Sequence, residues 1–119
     1  MKLEVGMYAR LENDVEDTVI INKIANVFET SILTENDGSI YQGVYTKENV
    51  IKASYNIIDI LEIGDYVNGY KITDIDCYEY EKELFFDTNQ IISTFVNEEI
   101  KTIVTHEQME QMAYKVGDK

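Results

Sequence analysis

His106 and Cys77 are the two side chains of this sequence best suited to acid–base or nucleophilic work, and each residue type occurs once. Nucleophilic catalysis needs a thiol or hydroxyl with a base in reach, and for Cys77 only His106 could serve. Cys77 falls inside an expected strand, between Asp76 and Tyr78, where a buried structural thiol is the default. His106 falls in the first turn of an expected capped helix with no Ser or Cys beside it, and is expected to be solvent-exposed. Metal sites draw on clustered His, Cys and carboxylates. One His with one distant Cys offers no such cluster, so the sequence points to no metal ligand, no cofactor and no catalytic residue.

Carboxylates are the remaining source of chemistry. Two acids across a cleft act as acid and base in glycoside hydrolysis, but with 23 Asp and Glu residues such pairs arise by chance and nothing singles two out. The run Glu12-Asn13-Asp14-Val15-Glu16-Asp17 is dense in oxygen ligands, yet lacks the central Gly and the terminal Glu of a calcium-binding loop. There is no phosphate-cradling Gly-rich loop and no basic aromatic platform for single strands. What stands out is the segment 74–87, in which carboxylates and tyrosines interleave. Tyrosine offers large contact area at low entropy cost with a polar tip, and rows of carboxylates on twisted strands imitate phosphate spacing. Asp74, Asp76, Tyr78, Glu79, Tyr80, Glu81 and Glu83 are therefore the expected partner-binding residues. The competing reading is a hairpin with a solvated outer face.

These residues must be positioned mostly by strands. β-Branched and aromatic residues come in short runs bounded by Asn, Asp and Gly. Strands are expected near 4–10, 18–25, 27–33, 40–45 and 49–53. In the second half they are expected near 65–68, 70–78, 83–88, 91–96, 99–104 and 113–117. Asn36-Asp37-Gly38-Ser39 and Asn68-Gly69 supply residues that tolerate positive φ and mark two turns. Thr105-His106-Glu107-Gln108 has the form of a capping box and predicts a short helix over 105–112. Residues 55–62, after a possible N-cap at Ser54, predict one or two helical turns.

The two halves also look alike. Glu4-Val5-Gly6-Met7-Tyr8 opens one and Glu62-Ile63-Gly64-Asp65-Tyr66 the other, and each half closes on a strand followed by a hydroxyl residue and a short helical stretch. A Gly that lets the chain turn tightly into a strand is the usual start of a small barrel. The expected fold is mainly β, a β-rich α+β chain of two tandem SH3-like barrels or half-barrels with one or two short helices. The expected division is 1–58 and 59–119, unless both halves form one compact domain.

Composition sets the limits on partners. The net charge is −13, with −5 in residues 1–60 and −8 in residues 61–119. Such a surface repels nucleic-acid phosphates and anionic lipid headgroups, so neither direct nucleic-acid nor membrane binding is expected; a partner would present a basic surface. A single cysteine forms no internal disulfide, the first residues lack the apolar core of a signal peptide, and apolar runs reach three residues at most. A reduced cytoplasmic setting is expected. Sixteen Ile, nine Asn, no Trp and no Pro fit the codon bias of an AT-rich genome.

Three stretches carry a resemblance: Val5–Arg10, the region 51–70 through Ile51-Lys52-Ala53-Ser54-Tyr55-Asn56 and Glu62-Ile63-Gly64-Asp65-Tyr66-Val67-Asn68-Gly69, and 99–117 through Glu99–Gln108 with Tyr114-Lys115-Val116. They are similar to a group of small phage and prophage proteins of low-GC Gram-positive bacteria. Residues 11–50 and 71–98 lie outside it. That group has no assigned activity and no recognised catalytic residues, so the resemblance implies provenance, as phage accessory cargo, and carries over no site. Small acidic phage proteins often act on host machinery, among them inhibitors of CRISPR effectors. The functional expectation is a non-enzymatic accessory protein, a monomer or dimer in the host cytoplasm, that binds a basic host protein as an anti-CRISPR-like inhibitor or nucleic-acid mimic. The alternative is an assembly protein forming homo-oligomers through β edge strands.

Overall fold

A computed structural model describes residues 2–14, 17–35, 43–88, 91–93 and 100–110. The molecule is mainly β and divides into two compact units, Met1–Tyr55 and Asn56–Lys119. The expected turn at 36–39 and strand at 113–117 lie outside the described residues.

The first unit contains β1 (Tyr8–Asn13), β2 (Thr18–Val27), β3 (Ser31–Thr34), β4 (Val44–Thr46), a 3-10 turn (Lys47–Asn49) and β5 (Val50–Ser54). They form one antiparallel sheet in the order β4-β3-β2-β1-β5. Period-two alternation sends Ala9 and Leu11 of β1 into a core with Ile24, Ile32 and Val50, and Met7, Ile20 and Tyr45 pack against it. Burying each large aliphatic side chain of this kind contributes about 1.5–3 kcal/mol.

The second unit contains a 3-10 turn (Ile57–Ile60), β6 (Tyr66–Val67), β7 (Tyr70–Cys77), β8 (Lys82–Phe86), β9 (Ile91–Ser93) and β10 (Ile103–Val104), then a helix, α1, over 106–110. Its antiparallel sheet has the order β10-β6-β7-β8-β9. Ile58, Ile60, Leu61, Val67, Ile72, Leu84 and Phe86 are buried. The helical stretch expected over 55–62 is a 3-10 turn, and its N-cap is Asn56, whose Oδ1 accepts from the Ile58 amide at 3.1 Å. Ser54 does not cap it, because Ser54 is still in β5, paired with Tyr8.

Read outward from the first strand, the two sheets have the same order, β1-β2-β3-β4 with β5 on the far side and β6-β7-β8-β9 with β10. The likeness extends to single hydrogen bonds. Gly6 (φ +94°) donates to the Ile24 carbonyl at 2.9 Å, and the Ile24 amide donates back to Met7 at 2.8 Å. Gly64 (φ +98°) donates to Ile72 at 2.9 Å, and Ile72 donates back to Asp65 at 2.8 Å. Both positive φ values are ones only glycine adopts without strain. One strand further on, bulges fall between Ile24 and Asn26 and between Ile72 and Asp74. In each bulge the polar side chain accepts from the next amide, Asn26 Oδ1 from Val27 and Asp74 Oδ1 from Ile75, both at 2.9 Å. The units are thus two copies of one plan, register-matched through the turn, the bulge and the returning strand.

Candidate functional site

The β7–β8 hairpin carries the residues that the sequence singled out. Its register sets Ile75 opposite Leu84, Asp76 opposite Glu83 and Cys77 opposite Lys82. Leu84 is fully buried, so Ile75 and Leu84 define the inner face and the Asp76–Glu83 pair the outer one. Across the tip, the Tyr78 amide donates to the Glu81 carbonyl at 2.7 Å. Tyr78 Oη donates to Asp76 Oδ2 at 3.4 Å. The charges of Asp76 and then Glu83 push the Tyr78 phenol above its ordinary pKa. Among the described residues Tyr80 is the most exposed large hydrophobic side chain, at 80%.

The structure therefore brings Asp76, Tyr78 and Glu83 together on one face, with Glu79, Tyr80 and Glu81 as the tip. Asp74 stands apart in role, with Oδ1 accepting from Ile75 inside the bulge. Lys82, the basic residue next to the tip, pairs with Asp59 at 3.4 Å. Cys77 is exposed rather than buried, because it ends β7 beyond the stretch of strand that covers the core.

A second constellation gathers around His106. Asp65 is fully buried and its two oxygens each hold a backbone amide: Oδ2 accepts from Glu62 at 2.7 Å and Oδ1 from His106 at 2.8 Å. The capping box forms as the spacing predicts, with the Gln108 amide donating to Thr105 Oγ1 (3.1 Å) and the Thr105 amide to Gln108 Oε1 (2.9 Å). These bonds fix the start of α1 and the direction of His106. Its Nε2 lies 3.0 Å from Glu62 Oε1 and 3.3 Å from Glu107 Oε1, and its Nδ1 lies 3.8 Å from Glu110 Oε1.

The His106 side chain is 30% exposed, so it is not the open helix-surface residue expected from its position in the capping box. It lies over Gly64, where an added Cβ would come within 3.2 Å of His106 Cβ. Beside it is an open depression of about 250 Å³ lined by Ile63, Tyr66, Lys71 and Met109 among others. Glu62, His106 and Glu107 are the one group of three potential metal ligands among the described residues, their ligand atoms within 4.8 Å of one another.

Glu62 and His106 are 44 residues apart, which is why the sequence did not join them. The signal available was the internal repeat. In the first unit Tyr55, directly after β5, donates its phenol to Glu4 Oε1 at 2.9 Å and passes 3.6 Å from a Cβ at Gly6. That bond to Glu4 is the main reason the Tyr55 phenol is pushed up from its ordinary pKa. Glu4 and Glu62 occupy the same place in the two turns, and in each unit a ring supplied just after the last strand reaches back to that Glu. Of the oxygen-rich run at 12–17, Asp14 Oδ2 accepts from Asn49 Nδ2 at 3.1 Å, and residues 15 and 16 lie outside the described set. Among the described residues no helix is long and apolar enough to cross a membrane. No protein-family model, curated protein or solved structure matches the chain.

Proposed function

We propose that the chain is a non-catalytic binding protein whose β7–β8 hairpin docks onto a basic surface of a host protein, as a phage-borne inhibitor of a host defence acting in the cytoplasm. The observation that carries this reading is the Asp76–Glu83 pair. Like charges directly opposite in an antiparallel ladder repel, and here they sit beside Tyr78 with a strongly exposed Tyr80 at the tip. A lysine or arginine laid over that face cancels the repulsion, and the tyrosines supply the contact area around it. The net charge of −13 steers the approach. A groove that normally holds nucleic acid is the kind of basic surface the carboxylate spacing suits. The SH3-like reading of each unit rests on a four-strand meander whose first strand is rejoined by a fifth, in the first unit after a 3-10 turn.

The test is a pull-down from the lysate of a low-GC Gram-positive bacterium with the full chain and with an Asp76→Lys/Glu83→Lys variant, at about 0.05 and about 0.5 M salt. The expected result is a protein retained by the wild type at low salt, released at high salt, and never retained by the variant. Retention that ignores both salt and charge reversal sinks the proposal.

A second reading, self-assembly through sheet edges, is favoured by one observation. Val44 and Ile91 occupy equivalent positions on the edge strands β4 and β9 and are 66% and 49% exposed. Exposed apolar edge strands pair readily between copies. Size-exclusion chromatography with light scattering decides it: an oligomer that Val44→Lys and Ile91→Lys dissolve supports assembly, and a monomer removes it.

A further inference from the structure

We propose that Glu62, His106 and Glu107 form a binding site for one divalent transition-metal ion of the Zn²⁺ class. Bonds of about 2.0–2.2 Å from a tetrahedral ion to nitrogen and oxygen place the donor atoms about 3.3–3.6 Å apart. His106 Nε2 already stands 3.0 Å from one Glu62 oxygen and 3.3 Å from one Glu107 oxygen. To seat an ion the Glu62 oxygen draws back slightly from Nε2, and all three ligand atoms already lie within 4.8 Å of one another.

The choice of ion follows from the donors. One imidazole with two carboxylates suits zinc and its neighbours, whereas calcium and magnesium take oxygen alone. Two carboxylates converging on one ring nitrogen concentrate negative charge, which a dication neutralises more fully than one imidazolium does. On the far side of the ring, Glu110 Oε1 at 3.8 Å from Nδ1 is placed as the outer carboxylate that typically orients a metal-bound histidine. An ion takes the Nε2 lone pair, so any proton on that nitrogen leaves to water as the metal binds.

The support beneath the ligands is what separates this group from a chance cluster on an acidic surface. Buried Asp65 fixes the backbones of Glu62 and His106 with one oxygen each, and the Thr105–Gln108 box fixes the turn that carries Glu107. The repeat supplies an internal comparison. The first unit keeps the Glu, as Glu4, but sets against it the phenol of Tyr55, a poor ligand at neutral pH. The second unit keeps the scaffold and replaces that phenol with an imidazole and a second carboxylate.

The experiment is a calorimetric titration of the full chain with ZnCl₂ in about 0.15 M NaCl, with the imidazole proton signals of His106, the sole histidine, followed in parallel. The expected result is one saturable site per chain, His106 signals that shift in step with it, and binding that survives a large excess of Mg²⁺. Glu107→Gln and His106→Asn each weaken the affinity about tenfold or more. Zinc binding that leaves the His106 signals unmoved overturns the proposal, as does unchanged affinity in Glu107→Gln. Should His106→Asn fail to fold, the wild-type signals and Glu107→Gln decide the matter alone.

Discussion

Asp65 ties the start of the second unit to its closing helix. Fully buried, it holds the amide that precedes the Gly64 turn and the amide that opens α1. Hydrogen bonds to a charged acceptor contribute about 1.5–3 kcal/mol each. Asn at this position keeps one acceptor and turns an NH₂ group toward an N–H donor. Asp65→Asn is therefore expected to lower stability by about 2–3 kcal/mol, read as an earlier urea midpoint with an unchanged slope. Tyr78 offers a test of the hairpin that does not depend on a partner. Its phenol is raised above 10.0 by Asp76 first and Glu83 second. A raised value means that the folded chain holds the proton more tightly than the unfolded one. The associated stability is fully present below pH 10.0 and is lost as the pH climbs through the raised value. Subtracting the ultraviolet tyrosinate titration of Tyr78→Phe from that of the wild type isolates this group. Its transition is expected above pH 10.0, and Asp76→Asn is expected to move it back down.

At the scale of elements, the two glycine turns are alike in backbone and unlike in surroundings. Both have positive φ, so alanine at either carries a conformational cost of about 1–2 kcal/mol. A Cβ at Gly6 meets Tyr55 at an ordinary 3.6 Å, whereas one at Gly64 meets His106 Cβ at 3.2 Å and pushes α1 outward. Gly64→Ala is expected to destabilise more than Gly6→Ala in matched urea melts and to move the His106 proton signals. Equal losses with unmoved signals contradict the close approach. These turns were legible in the sequence because their requirement is local: Glu-x-Gly-x-Tyr occurs twice, and only glycine meets the backbone demand. For the same reason Asn68-Gly69 was legible, and it turns β6 into β7 with φ +54° and +86°, as was the Thr105–Gln108 box. Features that depend on register were not legible. Whether Asp76 faces Glu83 is decided by the bulge at Ile72/Asp74 and by the length of the tip, and neither is encoded in a period-two pattern. The exposure of Cys77 follows from where β7 outruns its cover, and the Glu62–His106 pair from a strand returning across 44 residues.

For the molecule as a whole, the charge that would steer it to the proposed basic partner also opposes its own folding. Ten basic residues cannot offset 23 acidic ones. Those pairs that Lys82–Asp59 and Lys2–Glu4 make are partly or largely exposed, at 3.4 and 4.0 Å, and pairs of that kind add little stability. With a net charge of −13, repulsion among the acids is expected to outweigh attraction in the folded chain at low salt. The two consequences respond to salt with opposite sign. The screening length falls from about 30 Å at 0.01 M to about 10 Å at 0.1 M, so added NaCl weakens the repulsion within the chain and, equally, its attraction to a basic surface. The thermal midpoint is expected to rise between about 0.02 and about 0.2 M NaCl, followed by circular dichroism, over the same range in which a bound basic partner dissociates. A midpoint that falls with salt requires specific ion pairs to dominate, and the Asp76–Glu83 face is then no longer an unmet charge awaiting a cation. Asp76→Asn/Glu83→Gln separates local from global repulsion. If the hairpin carries a share of the strain, the double variant is more stable than the wild type at low salt and gains less from added NaCl. An unchanged salt slope assigns the repulsion to the acidic surface at large.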